Sequence, residues 1–316
     1  MIAFGLRRGG ALVAVVVLAP ALTYVVLGAV YGSIYGHVTV WHQVVHVPHY
    51  LVRVFGHLDL GYDDVRRQPV GDTLRNGLPV DAALTLGGLA VGTAAGILLG
   101  VLCGPRPRSR RDSSMLMAST IALSVPVYVL AAVLVYEFSP GIGAHPVGFL
   151  SGPGTYRPLT HDPLAWLHSL WLPWLLVGAP LAAVTLRMTR SVLHEGMTAE
   201  WARTAIAKGL PEKLVLRRHA LRAGMPTVLE TVTVSVPAVI ANAILVESVM
   251  QLPGMFIRFD VSRQVAYSFH NPAFPLIQGL VLEGAVLVAV CVFLCEILRG
   301  WLDPRVRAGA LVSELV

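Results

Sequence analysis

Charge is scarce in this chain: of 316 residues, 13% are Asp, Glu, Lys or Arg, while 55% are hydrophobic. A soluble domain carries about 25% charged residues, so the composition excludes an ordinary globular fold and makes a bilayer the solvent. Cysteine is nearly absent too. Cys103, Cys291 and Cys295 form no C-x-x-C pair, which excludes a disulfide framework or a zinc site and leaves packing as their use. No G-x-x-x-x-G-K-[ST] loop occurs, and no Gly-Lys pair at all, so the chain lacks that cradle for ATP phosphates. Neither H-E-x-x-H, nor a Ser-His-Asp set, nor an aspartate pair stands at a suitable position, which argues against a membrane enzyme. Inverted repeats with paired broken helices are missing as well, which argues against a gradient-driven secondary transporter.

What the chain does have is long apolar runs. A membrane-spanning helix needs about 20 mainly apolar residues. Six stretches qualify, at about 10–30, 82–103, 115–136, 164–186, 228–250 and 275–298. The second and third contain no charge. The fifth carries Glu230 and Glu247, and the sixth Glu283 and Glu296. The first follows Arg7 and Arg8 but is longer than the apolar core of a cleaved signal, so it reads as a retained span. The expected fold class is therefore all-α, integral to a membrane, with six spanning helices.

Counting the spans in order puts both termini and the segments 104–114 and 187–227 on one side. That side holds 17 Lys and Arg against 7 on the other, and positive charge accumulates on the cytoplasmic face. Both termini are thus expected in the cytoplasm. The basic balance of +6 reads as a topology signal beside anionic lipid rather than as nucleic-acid binding. The organisation that follows is a first helix with an extracytoplasmic segment over 1–81, a membrane core over 82–307 with a cytoplasmic loop at 187–227, and a tail at 308–316.

Within the second span, Gly88, Gly92, Gly96, Gly100 and Gly104 recur every four residues and share one helical face. Small residues at this spacing let two membrane helices approach closely. A sliding seam in a conformational change is the functional alternative. The loop from Met188 to Pro226 is polar, basic and rich in helix formers, with Gly209-Leu210-Pro211 splitting it into two short helices. Trp201, Ala205 and Lys208 fall on one face, a ridge suited to a partner's groove or to lipid headgroups.

That loop resembles the cytoplasmic loop of the dipeptide, oligopeptide and nickel permeases of ABC importers, which carry a version of the EAA motif. Arg203-Thr204-Ala205-Ile206-Ala207-Lys208-Gly209-Leu210 matches the form R-T-A-x-A-K-G-L, and Arg218-His219-Ala220-Leu221-Arg222 continues it. The motif's later proline position holds Arg222 here, and Pro226 stands four residues on. Further landmarks resemble the family in order: Leu60-Gly61-Tyr62, Ser124-Val125-Pro126, Ala179-Pro180-Leu181, Val246-Glu247-Ser248-Val249, Leu252-Pro253-Gly254-Met255 and Asp303-Pro304-Arg305. The proline- and acid-rich stretch usual after the first span is missing.

The resemblance implies a type I importer permease fold in the cytoplasmic (inner) membrane, with no catalysis and no cofactor in this chain. It implies three kinds of protein partner: a second, similar permease, ABC ATPase subunits and an extracytoplasmic substrate-binding protein. Di- or oligopeptides are the implied cargo, with nickel or glutathione as alternatives. The coupling element falls on Glu200, Trp201, Ala202, Arg203, Thr204, Ala205, Lys208, Gly209, Leu210 and Pro211, with Gly209 also expected as a helix C-cap. Intramembrane polar groups are costly, so Asn242, Glu247 and Glu283 are candidates for the translocation path, with hydrogen-bonded packing as the alternative. His37, His42, His46, His49 and His57 crowd the outer segment, but no carboxylate or cysteine completes a metal set, so no metal site is assigned.

Overall fold

Backbone amides in lipid must be satisfied within their own segment, and the helix is the local solution. Helix dominates the computed structural model, which describes residues 2–35, 40–63, 67–104, 109–140, 142–258 and 274–302. Helix α1 (Ile2–Tyr35) leads to α2 (Val40–Leu51) and a π turn (Val52–Gly56). A short antiparallel hairpin follows, β1 (Tyr62–Asp63) against β2 (Gln68–Pro69), with Tyr62 opposite Pro69. Next come α3 (Val70–Cys103), α4 (Arg110–Ser124), α5 (Val127–Phe138), α6 (Pro163–Thr198), α7 (Glu200–Ala207) and α8 (Glu212–Leu214). The last runs through a π turn (Val215–Ala220) into α9 (Leu221–Met250), and α10 (Phe274–Leu302) closes the described chain. The Asp303-Pro304-Arg305 landmark, His37 and the tail at 308–316 lie outside the described residues.

Among these residues, five helices are long and apolar enough to cross a membrane, and α4 with α5 makes a sixth crossing if the bent pair is one span. That pair corrects one expectation. The stretch 115–136 reads as an uninterrupted helix, yet α4 and α5 meet at 89°. Pro126 offers no amide, and its ring forces the preceding residue out of the helical region; Val125 accordingly sits at φ −86, ψ 121. Pro20, Pro79, Pro173, Pro180, Pro226 and Pro237 are all carried inside continuous helices. A second difference concerns length. Helix α3 begins at Val70, well before 82, and the polar loop 187–227 is helical nearly throughout because α6 continues to Thr198.

The described chain divides into two units. In the unit formed by Leu84–Gln251 and the residues from Cys291 onward, α6 and α9 pack along each other, with α4 against α6 and α5 against α9. The glycine stripe of α3 is the seam with α6. A methyl carbon placed on Gly92 would lie 2.6 Å from the Gly178 carbonyl oxygen, and one on Gly96 or Gly100 would lie 2.5 Å from Thr185 or Thr189. Both threonines are fully buried. Two arginines of α6 reach α4. Arg187 donates to the Ser119 and Thr120 hydroxyls at 3.0 and 2.8 Å, and Arg190 donates from Nε and Nη2 to the two carboxylate oxygens of the buried Asp112, at 2.5 and 2.9 Å. Glu230, one of the acids in the fifth predicted span, pairs with Arg299 of α10 at 2.9 Å.

The other unit comprises Ile2–Ala83 and Leu252–Val290. Here α1 packs on α2, with the rings of Tyr24 and Tyr50 stacked at 4.5 Å between centroids. Val70, Met255 and Leu276 are buried together, flanked by Leu60, Leu74 and Leu280. A polar latch holds this core in place: the Met255 amide donates to the buried Asp81 carboxylate at 2.7 Å. Asp81→Ala is expected to lower stability by about 1–3 kcal/mol, the range for a buried donor that loses its acceptor. Thermal unfolding of the purified chain in detergent checks this, and Asp81→Asn, which keeps an acceptor, should lose less.

Candidate functional site

Helix α7 is set off from α6 by one residue. The Thr198 hydroxyl donates back to the carbonyls of His194 and Glu195, both at 3.0 Å, and Ala199 turns extended at φ −66, ψ 150. Glu200 then opens α7, where a carboxylate suits the positive end of the helix. At the far end, the Gly209 amide donates to the Ile206 carbonyl at 2.9 Å and the Leu210 amide to that of Ala205 at 3.2 Å. These are the two bonds of a Schellman cap, and they require the left-handed conformation that Gly209 adopts at φ +90. Pro211, with no amide to offer, starts the next helix.

This short helix stands on a single buried side chain. Ala202 is fully covered, whereas Arg203, Thr204, Lys208 and Pro211 are exposed, as are the apolar Ile206 at 40% and Leu210 at 38%. Of the expected ridge of Trp201, Ala205 and Lys208, Lys208 is exposed and Ala205 is half-buried, while Trp201 is 44% exposed with its ring centroid 6.4 Å from that of His219. His219 belongs to the π turn at Val215–Ala220. Its wider winding buries Val215, Leu216 and Ala220 while leaving Arg217, Arg218 and His219 exposed, and Leu216 and Ala220 pack on Leu193 of α6. Trp201, Arg218, His219, Arg222 and Ala223 line a groove of about 450 Å³. The basic run 217–222 is visible in the sequence, but nothing in it marks a π turn, a feature frequent at functional sites.

The intramembrane candidates fall in different places. Asn242 is half-buried and Glu247 fully buried on α9, in the first unit. Glu283 of α10 is buried in the second unit, where its carboxyl meets that of Asp81. Asp81 is a residue that sequence reasoning missed. It borders the predicted span at 82, where an acid reads as solvent-facing, whereas α3 in fact begins three turns earlier. Among the outer histidines, the His46 Nδ1 lies 2.7 Å from the His42 carbonyl oxygen, which ties up one of its two ring nitrogens. Helix α2 continues through Pro48. Among the described residues, no group of three or more His, Cys, Asp or Glu is arranged to hold a metal ion.

The family of binding-protein-dependent transport system inner membrane components matches this chain over residues 96–308. The chain belongs to that family. The match takes in all of α4 to α9, and with them the projecting α7 and its glycine cap. Several named proteins are similar to this inner membrane component. One from Brucella abortus strain 2308, named as a peptide transport system permease, is 32% identical over 265 residues, covering 84% of this chain and 80% of its own length. An oligopeptide transport system permease of Bacillus subtilis is 30% identical over 251 residues, covering 79% and 76%. The dipeptide transport system permease of the same organism is 25% identical over 238 residues, covering 75% and 71%. With its apolar helices, this inner membrane component is a multi-pass membrane protein of a transport system.

Proposed function

We propose that this chain is the translocating subunit of an ATP-driven importer of di- or oligopeptides and that α7, with its Gly209 turn, is the element through which ATPase subunits act on it. The observation that carries the reading is the geometry of α7. A helix with one buried residue, closed at its C-terminal end by the Gly209 cap and based on α6, exposes Arg203, Ile206, Lys208 and Leu210 together, so a partner that grips it can move α6. With 17 of its Lys and Arg on the side of that loop, the termini and α7 face the cytoplasm. Hydrolysis occurs in the partner chains, this subunit needs no cofactor, a second similar permease completes the path, and an extracytoplasmic binding protein delivers the peptide. The peptide relatives supply the cargo class, and Asn242, Glu247 and Glu283 are its candidate contacts.

The test is co-purification of the tagged chain from its native membrane in mild detergent. The ATPase recovered with the chain is expected to fall about tenfold or more in Arg203→Glu, since 1.4 kcal/mol of lost contact already gives that factor. In Gly209→Pro, whose ring cannot reach φ +90, the loss should be comparable at equal membrane abundance. Retention of the ATPase by both variants would sink the coupling role. Growth on defined dipeptides as sole nitrogen source, with and without the chain, tests the cargo separately.

A further inference from the structure

Where α3 ends, α4 begins and α8 passes α6, the first unit has a cavity of about 520 Å³. Arg110, Arg111 and Lys213 line one side of it, with Ser109 beside them, and Leu102 and Met197 line another. One carboxylate, Glu212, is also present, so the lining keeps an excess of positive charge. We propose that this cavity binds the headgroup of an anionic phospholipid, with the acyl chains running down α3.

Three observations support this. First, the apolar wall continues out of the cavity: Leu102 is 64% exposed, and Leu98, one turn earlier on the same face of α3, is 66% exposed. In a membrane protein such a strip meets acyl chains, and the cations at its end stand at headgroup depth. Second, Arg110 and Arg111 occupy the first turn of α4, where the positive end of the helix disfavours cations. Local folding therefore does not call for them, and a phosphate diester between them relieves the repulsion. Third, membrane topology by itself asks only for positive charge on this side. It does not ask that Lys213, more than a hundred residues along the chain, converge with the two arginines on one cavity. Basic pockets of this kind between membrane helices hold anionic headgroups. A protein partner's acidic surface would satisfy the cations but would leave the leucine strip unused.

The experiment uses the full chain purified with its partner subunits in mild detergent, after equilibration with mixed micelles of phosphatidylglycerol and phosphatidylcholine. Retained lipid is counted by mass spectrometry of the organic extract. Phosphatidylglycerol is expected to be enriched, and Arg110→Gln/Arg111→Gln should lower its retention on the order of tenfold, given the attraction each basic residue supplies near a charged headgroup. Lys213→Gln should lower it by a smaller factor, and Arg157→Gln/Arg75→Gln, which removes two exposed charges elsewhere, should leave it unchanged. Inorganic phosphate at millimolar concentration should not displace the lipid; displacement would mean that a free phosphate, not a lipid, is the ligand. Equal retention in the double glutamine variant and the unaltered chain would overturn the proposal. So would loss of the ATPase from that variant with its lipid intact, because the cations would then belong to a protein interface.

Discussion

Arg190→Leu is expected to destabilise the chain by on the order of 3 kcal/mol, the scale on which removal of one partner from a buried ion pair is felt. The Asp112 side chain is 2% exposed, and the guanidinium meets it along two bonds from a side chain that is itself 27% exposed. Partial exposure of the arginine places the expected loss at the low end of the usual range. Asp112 is also the residue whose amide donates to Ser109, the N-cap of α4, so the pair fixes the first turn of α4 against α6. Arg190→Lys should recover only part of the loss, since an ammonium cannot make the planar double contact. The decisive comparison is the double variant Asp112→Leu/Arg190→Leu. Once both charges are gone no ion is left buried, and its apparent melting temperature in detergent should exceed that of Arg190→Leu. A double variant clearly less stable than the unaltered chain would show that the pair supplies net stability, not merely mutual neutralisation.

A comparable effect is expected at the α3–α6 seam. Gly178→Ala should cost about 1–3 kcal/mol and Gly178→Val more, the range for forcing atoms into a packed interior. A methyl carbon at Gly178 would stand 2.7 Å from the Gly88 carbonyl oxygen and 2.9 Å from the Gly92 amide nitrogen. These are backbone atoms of α3, which cannot swing aside as a side chain would, so the two helices must part along the stripe. Gly284→Ala provides the contrast. It lies inside α10, and a methyl carbon there meets nothing within 4 Å, so the better helix propensity of alanine, up to about 1 kcal/mol, should leave stability equal or slightly raised. Parallel melting curves of the two alanine variants check the pair of expectations together.

Much of this protein is legible in the order of its residues. Composition and run length determine that it is helical and membrane-spanning, because lipid permits few other solutions for an apolar chain of this kind. The four-residue glycine period marks a close helix contact before any partner is known. The 203–210 motif marks the family, and a glycine followed by leucine and proline marks a turn that no other residue pair would make as readily. All of these depend on local geometry, on spacing along one helix or on the solvent a segment can tolerate.

Tertiary structure decided the rest. The partner of the glycine stripe is α6, met at Gly178, Thr185 and Thr189, and no periodicity in α3 names it. Pro126 stands at a sharp break, at 89°, whereas Pro20, Pro48, Pro79, Pro173, Pro180, Pro226 and Pro237 lie inside continuous helices; whether a proline kinks or is absorbed depends on what surrounds the freed carbonyls. Asp81 reads as a boundary acid and is instead buried against the Met255 amide, because α3 starts earlier than hydropathy suggests. Likewise, α7 covers Ala202 and leaves Trp201, Arg203, Ile206 and Lys208 exposed, with the ring of Trp201 beside His219 of the π turn in the following segment. Sequence spacing fixes which residues share a helix face, but which face is covered is set by the elements that arrive from elsewhere in the chain.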